Sequence, residues 1–96
     1  MTKRGYVYIL ASKPYGTLYV GVTSDLSKRI WQHKTGYYRG FTFKYKVHKL
    51  VYFEEHDSIR DAISREKELK GRRRDRKIAL ITSMNEKWVD LYEALL

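Results

Sequence analysis

The sequence predicts a small α+β fold in which three short strands are combined with helices. Residues 6–10 and 17–22 alternate apolar with other side chains, the two-residue period of half-buried strands. A third apolar segment, residues 48–54, precedes a stretch of helical periodicity that runs to Gly71. The 96 residues suffice for one domain with one modest core, so we expect a single domain over residues 1–96.

The first two strands are expected to form a hairpin, joined by a turn that contains Pro14 and Gly16. One face of this hairpin carries the aliphatic side chains that we expect against the core: Val7, Ile9, Leu18, Val20 and Val22. On the other face Tyr8 and Tyr19 lie side by side, and Gly21 leaves open space beside them. Two interpretations remain open, namely ordinary strand tyrosines and a site built from two phenols next to a gap.

A first helix is predicted over residues 25–35, with Ser24 as its N-cap, Asp25 in its first turn and Gly36 at its end. Leu26 and Ile30 mark its inner face, and Arg29 and His33 fall on the same stripe. Trp31 points elsewhere and is expected to pack on a neighbouring element. Because burying a charge is costly, inward-facing Arg29 and His33 are expected to have partners.

Residues 34–46 are rich in glycine, aromatic and basic side chains. Aromatic rings interleaved with cations suit contact with nucleic-acid bases and backbone. A connecting loop with a short strand at residues 41–45 explains the composition equally well. The third strand that follows is apolar on both faces, which predicts a central strand covered by helices.

A second helix is predicted to begin after Asp57 or Ser58 and to end at Gly71. Its apolar stripe consists of Ile59, Ala62, Ile63 and Leu69. Glu66 lies near the centre of that stripe, where a carboxylate is costly unless it is paired or bound to a metal. Two explanations stay open: a buried salt bridge with Arg29, and a metal ligand or catalytic acid.

A basic run, residues 70–77, opens a further helix that continues through Ile81. Such a run is either a solvated face or a set of phosphate contacts. Residues 85–96 carry a helical apolar stripe and are expected to dock on the core.

The chain contains 20 lysine and arginine residues against 11 acidic ones, a net charge of +9. This surplus favours a polyanionic partner, most simply nucleic acid, over an anionic membrane surface or no specific partner. The absence of cysteine excludes disulfides and thiolate metal sites and suits a reducing cytosol, so we expect a cytoplasmic protein. The first residues lack a long apolar run, so we expect neither a signal peptide nor a membrane span there, and no membrane partner.

Four residues stand out from these patterns: Tyr8, Tyr19, Arg29 and Glu66. Together they suit phosphodiester hydrolysis. A carboxylate holds a hard divalent ion that lowers the pKa of a bound water. An arginine stabilises the charge that grows on the phosphate, and a phenol orients or deprotonates the attacking water.

These residues resemble the GIY-YIG nuclease domain, in particular its small single-domain bacterial members. The first motif is matched by Val7-Tyr8-Ile9 and the second by Tyr19-Val20-Gly21. The segment from Asp25 through Arg29 to His33 is similar to the first helix of the family, and residues 62–70 are similar to its glutamate helix. Asn85 matches an asparagine near the end of the fold.

The resemblance implies a three-stranded antiparallel sheet flanked by helices and a metal-dependent cleavage of DNA, with one Mg²⁺ or Mn²⁺. It implies that Glu66 is the sole protein ligand of the metal and that Arg29 contacts the scissile phosphate. Tyr8 and Tyr19 would be the candidates for the general base or for orienting the water, with the division of roles between them open. His33, Gly21 and Asn85 would support positioning. For the basic surface, we expect nucleic-acid contacts, with DNA favoured over RNA, from Arg39, Lys44, Lys46, Lys70, Arg72, Arg73 and Arg74.

The chain departs from the family pattern at Val22, where some members have a lysine. We expect an endonuclease whose substrates are branched, flapped or damaged DNA, in the manner of a repair enzyme. The alternative is a non-catalytic nucleic-acid-binding module that keeps the fold. A scaffold for a protein partner is a third possibility, for which the sequence offers no positive feature.

Overall fold

The computed structural model describes residues 3–37 and 39–96. Its strands are β1 (Gly5–Ala11), β2 (Leu18–Thr23) and β3 (Lys49–His56). Its helices are α1 (Leu26–Lys34), α2 (Phe41–Lys44), α3 (Ile59–Gly71) and α4 (Arg74–Met84), followed by a 3₁₀ helix at Tyr92–Leu95. In these described ranges, no helix has the length and apolar character needed to cross a bilayer.

The three strands form one antiparallel sheet in the order β2-β1-β3, which confirms the predicted α+β fold with a three-stranded antiparallel sheet. The central strand is β1, so the expectation that the third strand is central is wrong. β3 is apolar on both faces because helices and chain segments cover both faces of the sheet, even at this edge. A register shift between Ile9 and Leu10 leaves Val51 as an extra residue in β3.

One face of the sheet packs against α3 and α4. Val7, Ile9 and Val20 form a buried cluster there with residues of both helices and with Trp88. The helical members of this cluster are Ala62, Leu69 and Ile81. The aliphatic residues of the hairpin therefore share one core face, as their alternation predicts, and Val22 packs at its edge.

The tyrosine face of the sheet is also a core face. Tyr8 and Leu10 are fully buried there against Leu26 and Ile30 of α1. The C-terminal segment adds partly buried residues to this second cluster: Leu91, Tyr92 and Leu95. Burying both faces of so small a sheet stabilises a strand order in which β1, the most apolar strand, is surrounded on all sides.

Helix boundaries differ from the expectations in ways that the capping bonds explain. Asp25, not Ser24, caps α1, because its carboxylate accepts the backbone N–H of Lys28 at 3.2 Å. Ser58, one of the two predicted caps, caps α3 by accepting from the N–H of Asp61 at 3.1 Å.

Two side chains are more exposed than their patterns predict. Trp31 is 50% exposed, so the expectation that it packs on a neighbouring element is wrong. Ile63 is also exposed rather than part of the buried stripe.

Two segments fold differently from the expected strand and helix. Residues 41–45, expected as a loop with a short strand, contain the one-turn helix α2, which is closed by a bond from the Val47 N–H to the Thr42 carbonyl at 2.8 Å. Residues 85–96 are helical only in the short 3₁₀ segment. Asn85 interrupts the helix, since its buried side chain bonds the backbone of Val51 and of Val89.

Glu54 organises a polar network where β3 meets α3. Its carboxylate accepts hydrogen bonds from Arg65 at 2.9 and 3.0 Å, from His56 at 2.9 Å and from the Tyr52 hydroxyl. Burial raises the pKa of Glu54, but the hydrogen bonds from Arg65, Tyr52 and His56 outweigh burial and lower the pKa to about 2. The network therefore stabilises the packing of α3 on β3 with an ionised carboxylate.

Replacing this carboxylate should weaken the pH dependence of stability. Since the pKa of Glu54 falls from 4.5 to about 2 on folding, its contribution is complete above pH 4.5 and is lost as the pH falls toward 2. We expect wild type to exceed Glu54→Gln in the free energy of unfolding at pH 7, and the difference to shrink steadily below pH 4.5, as measured by urea denaturation. The exposed neighbour Glu55 provides the control Glu55→Gln, for which a small difference is expected; a Glu54→Gln difference equal at pH 3 and pH 7 would contradict the assignment.

Candidate active site

The pairing of β1 with β2 brings the two predicted tyrosines together. Tyr8 lies opposite Gly21, and Leu10 lies opposite Tyr19, so the two phenols are diagonal neighbours on one face. Their ring centroids are 6.3 Å apart with a tilt of 40° between the planes. The two rings are therefore adjacent, although their environments differ: Tyr8 is fully buried, whereas Tyr19 is partly exposed.

The open space expected beside Gly21 is absent, because the Tyr8 ring fills it. A Cβ atom on Gly21 would lie 2.4 Å from both Cζ and the hydroxyl oxygen of Tyr8. Glycine is required here by close packing, since the Tyr8 ring crosses directly over the backbone of β2. The hydroxyl of Tyr8 is thereby placed over β2, within hydrogen-bond distance of His33 in α1.

His33 of α1 meets the Tyr8 hydroxyl and links it to α2. Its Nε2 lies 3.0 Å from the Tyr8 hydroxyl, and its Nδ1 lies 2.9 Å from the Thr42 hydroxyl. Both His33 and Thr42 are buried, with 4% and 3% of their surfaces exposed. The structure thus joins β1, α1 and α2 through one chain of hydrogen bonds.

Burial, together with the charges of Arg29 and His48, lowers the pKa of His33 to about 4. The imidazole is therefore neutral near pH 7, with one N–H and one lone pair. It donates to one of the two hydroxyls and accepts from the other, so both ring nitrogens are satisfied in either tautomer. His33 fulfils the expectation that an inward-facing histidine has partners.

A cavity of about 260 Å³ opens beside this chain of hydrogen bonds. Tyr19, Arg29 and His33 line it from the sheet and α1, and Gly40, Phe41 and Thr42 line it from the segment around α2. The Tyr19 ring stacks on Phe41 with centroids 6.2 Å apart and meets His33 edge-on at 5.6 Å. The cavity therefore combines a phenol, a guanidinium and a neutral imidazole with an apolar wall.

Glu66 lies apart from these residues, on the face of α3 that packs against the opposite side of the sheet. It is 9% exposed and lies between Ala62 and Leu69 on the buried stripe of its helix. Its carboxylate forms an ion pair with Lys70 at 3.0 Å, and the ion pair with Arg29 considered from the sequence is not formed within the described part of the chain. Of the predicted residues, the structure brings Tyr8, Tyr19, Arg29 and His33 together, and Glu66 does not line their cavity.

The donor set around Glu66 limits what kind of metal site this protein can offer. In the described ranges, no group of three or more histidine, cysteine or acidic side chains is arranged to hold a metal ion. A single carboxylate fits Mg²⁺ or Mn²⁺ only as an ion that keeps most of its water ligands. Lys70, the partner of Glu66, has a side chain that is 54% exposed.

Asn85, the other predicted supporting residue, holds the C-terminal segment. Its amide nitrogen donates to the carbonyls of Val51 at 3.1 Å and Val89 at 2.7 Å, and its amide oxygen accepts from the Val89 N–H at 3.1 Å. These bonds attach the C-terminal segment at Val89 to β3 at Val51, which is a structural role.

The basic residues predicted to bind nucleic acid divide into two groups. Near the cavity, Arg39 lies 5.0 Å from the Phe43 ring and Lys44 lies 5.4 Å from the Tyr45 ring, and Lys46 is exposed. In the second group each cation has a partner in the fold. Lys70 pairs with Glu66, Arg72 with Glu68 and Arg73 with Asp75, while Arg74 donates to the carbonyls of Tyr15 and Gly16 in the hairpin turn.

Sequence reasoning missed Thr42 and a set of cations next to the cavity. Lys3, Arg4 and Lys28 line a second, larger cavity of about 570 Å³ that shares Arg29 with the first. Lys28 and Gln32 are one helical turn apart on α1, a spacing that is visible in the sequence. Lys3 and Arg4 are distant in sequence, so only the tertiary structure places them beside α1.

Comparisons with known proteins agree with these motifs. The family model described as the GIY-YIG catalytic domain matches residues 4–79. A UPF0213 protein of Clostridium perfringens is 43% identical over 82 residues, which cover 85% of this chain and 87% of the relative. Similar proteins of the same designation occur in Staphylococcus saprophyticus (38% identical; 80% of this chain, 93% of the relative) and in Syntrophus aciditrophicus (35% identical; 88% and 97%). No solved structure gave a significant match.

Adding one methyl group at Gly21 should disrupt the buried hydrogen-bond chain. In Gly21→Ala the new Cβ meets the Tyr8 hydroxyl at 2.4 Å and forces the ring away from His33. We expect the free energy of unfolding to fall by about 1–3 kcal/mol, the usual cost of overpacking. Gly71→Ala is the matched control, because a Cβ there meets nothing within 4 Å and a helical alanine is favourable. Equal stability of the two variants in urea denaturation would argue against the close packing of Tyr8 on Gly21.

Proposed function

This chain belongs to the GIY-YIG nuclease family, and we propose that it is a metal-dependent endonuclease that hydrolyses phosphodiester bonds of DNA. Membership of the family implies a nucleic-acid substrate, and the choice of DNA is part of the proposal. The observation that carries it is the cavity in which Arg29 and Tyr19 meet beside a buried Tyr8–His33 pair. A cation and a phenol that face the same small space are what a phosphoryl group and an attacking water require.

Arg29 is the group that we expect to bind the scissile phosphate. It lines the cavity, and its charge contributes to the lowered pKa of His33, which lines the same cavity. In hydrolysis the phosphate gains negative charge in the transition state. A fixed guanidinium stabilises that charge more than it stabilises the ground state, which is the condition for faster reaction.

The two tyrosines differ in burial, and this difference supports different roles. Tyr19 lines the cavity and is the phenol that can contact the attacking water. Tyr8 is fully buried, and its hydroxyl is held by His33 at 3.0 Å. We therefore assign Tyr19 to orienting or deprotonating the water, and Tyr8 and His33 to positioning Tyr19 and the wall around Thr42.

Glu66 is the proposed ligand for one Mg²⁺ or Mn²⁺ ion. Its mostly buried carboxylate, whose cationic partner Lys70 is exposed, fits a hydrated ion bound through a single protein oxygen. When bound, such an ion lowers the pKa of a water ligand and neutralises charge on the phosphate oxygens. For the substrate we propose branched, flapped or damaged DNA, as in repair. The exposed rings of Phe41 and Tyr45 beside Lys44 favour bases that are accessible to stacking.

A non-catalytic nucleic-acid-binding module is the second candidate. It is favoured by the position of Glu66, whose helix packs on the face of the sheet opposite to the cavity and whose carboxylate is paired with Lys70. In that case the basic surface and the net charge of +9 would bind nucleic acid without cleaving it.

Substituting the proposed metal ligand separates the two candidates. With purified protein, Mg²⁺ or Mn²⁺ and a supercoiled or flapped DNA, we expect wild type to nick the substrate and Glu66→Gln to lose at least about 100-fold in rate, because the carboxylate is the only proposed protein ligand. The matched control is Glu68→Gln, which removes the same charge two residues away on an exposed position of α3.

Cleavage by Glu66→Gln at the rate of Glu68→Gln would remove Glu66 from the mechanism. Salt-sensitive binding by wild type without cleavage under either ion would favour the binding module.

Removing the hydroxyl of Tyr19 should lower kcat alone, whereas removing the hydroxyl of Tyr8 should lower both kcat and the free energy of unfolding. Tyr19→Phe is expected to lower kcat by about 10²–10⁴, the range of general acid–base catalysis, with an unchanged melting temperature. Tyr8→Phe leaves a buried ring nitrogen of His33 without its partner and should lower the free energy of unfolding by about 1–3 kcal/mol, with a smaller loss in kcat. A Tyr8→Phe variant of wild-type stability and with the larger loss in kcat would reverse the assignment of the two phenols.

A further inference from the structure

A groove lined with cations lies next to the candidate active site, and apart from Arg29 its residues have no role in the chemistry described above. We call it the α1 groove; its volume is about 570 Å³. Its long side chains are Lys3, Arg4, Lys28, Arg29 and Gln32, and hydroxyls of Thr23 and Ser24 and the carboxylate of Asp25 complete its lining. Nearly all of these groups are hydrogen-bond donors or cations, which is the chemistry that recognises phosphate.

The α1 groove has an excess of positive charge, with four cationic side chains against one carboxylate in its lining. Its one carboxylate, Asp25, accepts the backbone N–H of Lys28 at the start of α1. Arg4 pairs with Glu55 outside the groove. Neither Lys3 nor Lys28 forms an ion pair in the described part of the chain, and both are exposed. This contrasts with residues 70–74, where every basic side chain has a partner within the fold.

The α1 groove adjoins the active-site cavity, and the two share one lining residue. Arg29 lies beside Tyr19 and His33 in the cavity and beside Lys28 and Gln32 in the groove. A polyanion with one phosphate at Arg29 in the cavity therefore has its next phosphates within reach of the groove. Lys28 and Gln32 are one turn, or about 6 Å, apart along the helix, against about 3.4 Å per nucleotide of a DNA strand.

We propose that the α1 groove binds the sugar-phosphate backbone of the substrate strand on one side of the scissile phosphate, over about two nucleotides. The proposal rests on the proposed function for the position of the scissile phosphate. Lys3 and Lys28 neutralise backbone phosphates, Arg4 and Gln32 donate hydrogen bonds to them, and Arg29 joins this track to the site of cleavage. Such contacts carry no sequence information; they set the position of the strand.

Binding measured without divalent ions tests the groove independently of cleavage. The affinity for a fluorescent DNA duplex is measured for wild type and for the double variant Lys3→Gln/Lys28→Gln. The KCl concentration is varied from about 50 to about 300 mM, a range that brackets physiological ionic strength. Each phosphate contact adds about 0.9 to the slope of log K against log salt, so we expect the slope to fall by about 2 and the affinity near 0.1 M salt to fall at least about tenfold. Both changed side chains are exposed, and an unchanged melting temperature verifies the fold.

Lys13→Gln/Lys87→Gln is the matched control, because it removes two exposed charges that line neither cavity. A smaller loss of slope and affinity in this control supports the groove. The proposal is overturned if the groove variant binds with the wild-type slope, or if the control loses as much, since net charge alone would then explain binding.

Cleavage assays of the same proteins separate this proposal from the proposed function. If wild type cleaves DNA while the groove variant binds and cleaves as wild type does, the groove proposal fails and the endonuclease stands. If the groove variant binds weakly while wild type cleaves no DNA under Mg²⁺ or Mn²⁺, the groove stands as a nucleic-acid site of a binding module.

Discussion

The packing of the Tyr8 ring over Gly21 is the constraint on which the candidate site depends. Because position 21 has no side chain, the ring crosses β2 at contact distance and carries its hydroxyl to His33. His33 in turn holds Thr42, and with it the segment around α2, above the sheet. Phe41 of that segment stacks on Tyr19. The position of the cavity wall therefore depends on Tyr8, in the middle of β1, through His33 and Thr42. A buried polar chain of this kind is favourable only when every member is satisfied, and here each hydroxyl and ring nitrogen has a partner.

Helices on both faces of a three-stranded sheet divide the proposed chemistry between two sides. Arg29, Tyr19 and His33 lie on the side of α1 and α2, whereas Glu66 lies on α3, among the aliphatic residues of the other face. Glu66 does not line the cavity that holds Arg29 and Tyr19. It lies between Ala62 and Leu69 on the buried stripe of α3, and its charge is balanced by Lys70.

The distribution of paired and unpaired cations decides where the net charge of +9 can act. The basic run at residues 70–74 is the most conspicuous charge feature of the sequence. Each of its basic side chains nevertheless has a partner within the fold, either an acidic side chain near it in sequence or the hairpin turn. Arg74 holds two backbone carbonyls of that turn, and Arg72 pairs with Glu68. The α1 groove, whose cations come from the N-terminal residues and from α1, is less visible in the sequence and lies beside Arg29. Pairing within the fold thus makes local charge density in the sequence a poor guide to the binding surface.

Local periodicity was sufficient to predict the three strands, the main helices, the aliphatic face of the hairpin and the adjacency of Tyr8 and Tyr19, because these depend on the alternation of side chains along single elements. The stripe on α1 likewise placed Arg29 and His33 inward. Tertiary structure alone decided that β1 is central, that the gap at Gly21 is filled and that residues 41–44 are helical. It also decided that Glu66 does not line the cavity of Arg29, and that Lys3 and Arg4 join α1 in a groove. Those features depend on contacts between elements that are distant in the chain, and the side-chain pattern of one element carries no information about which partner packs against it.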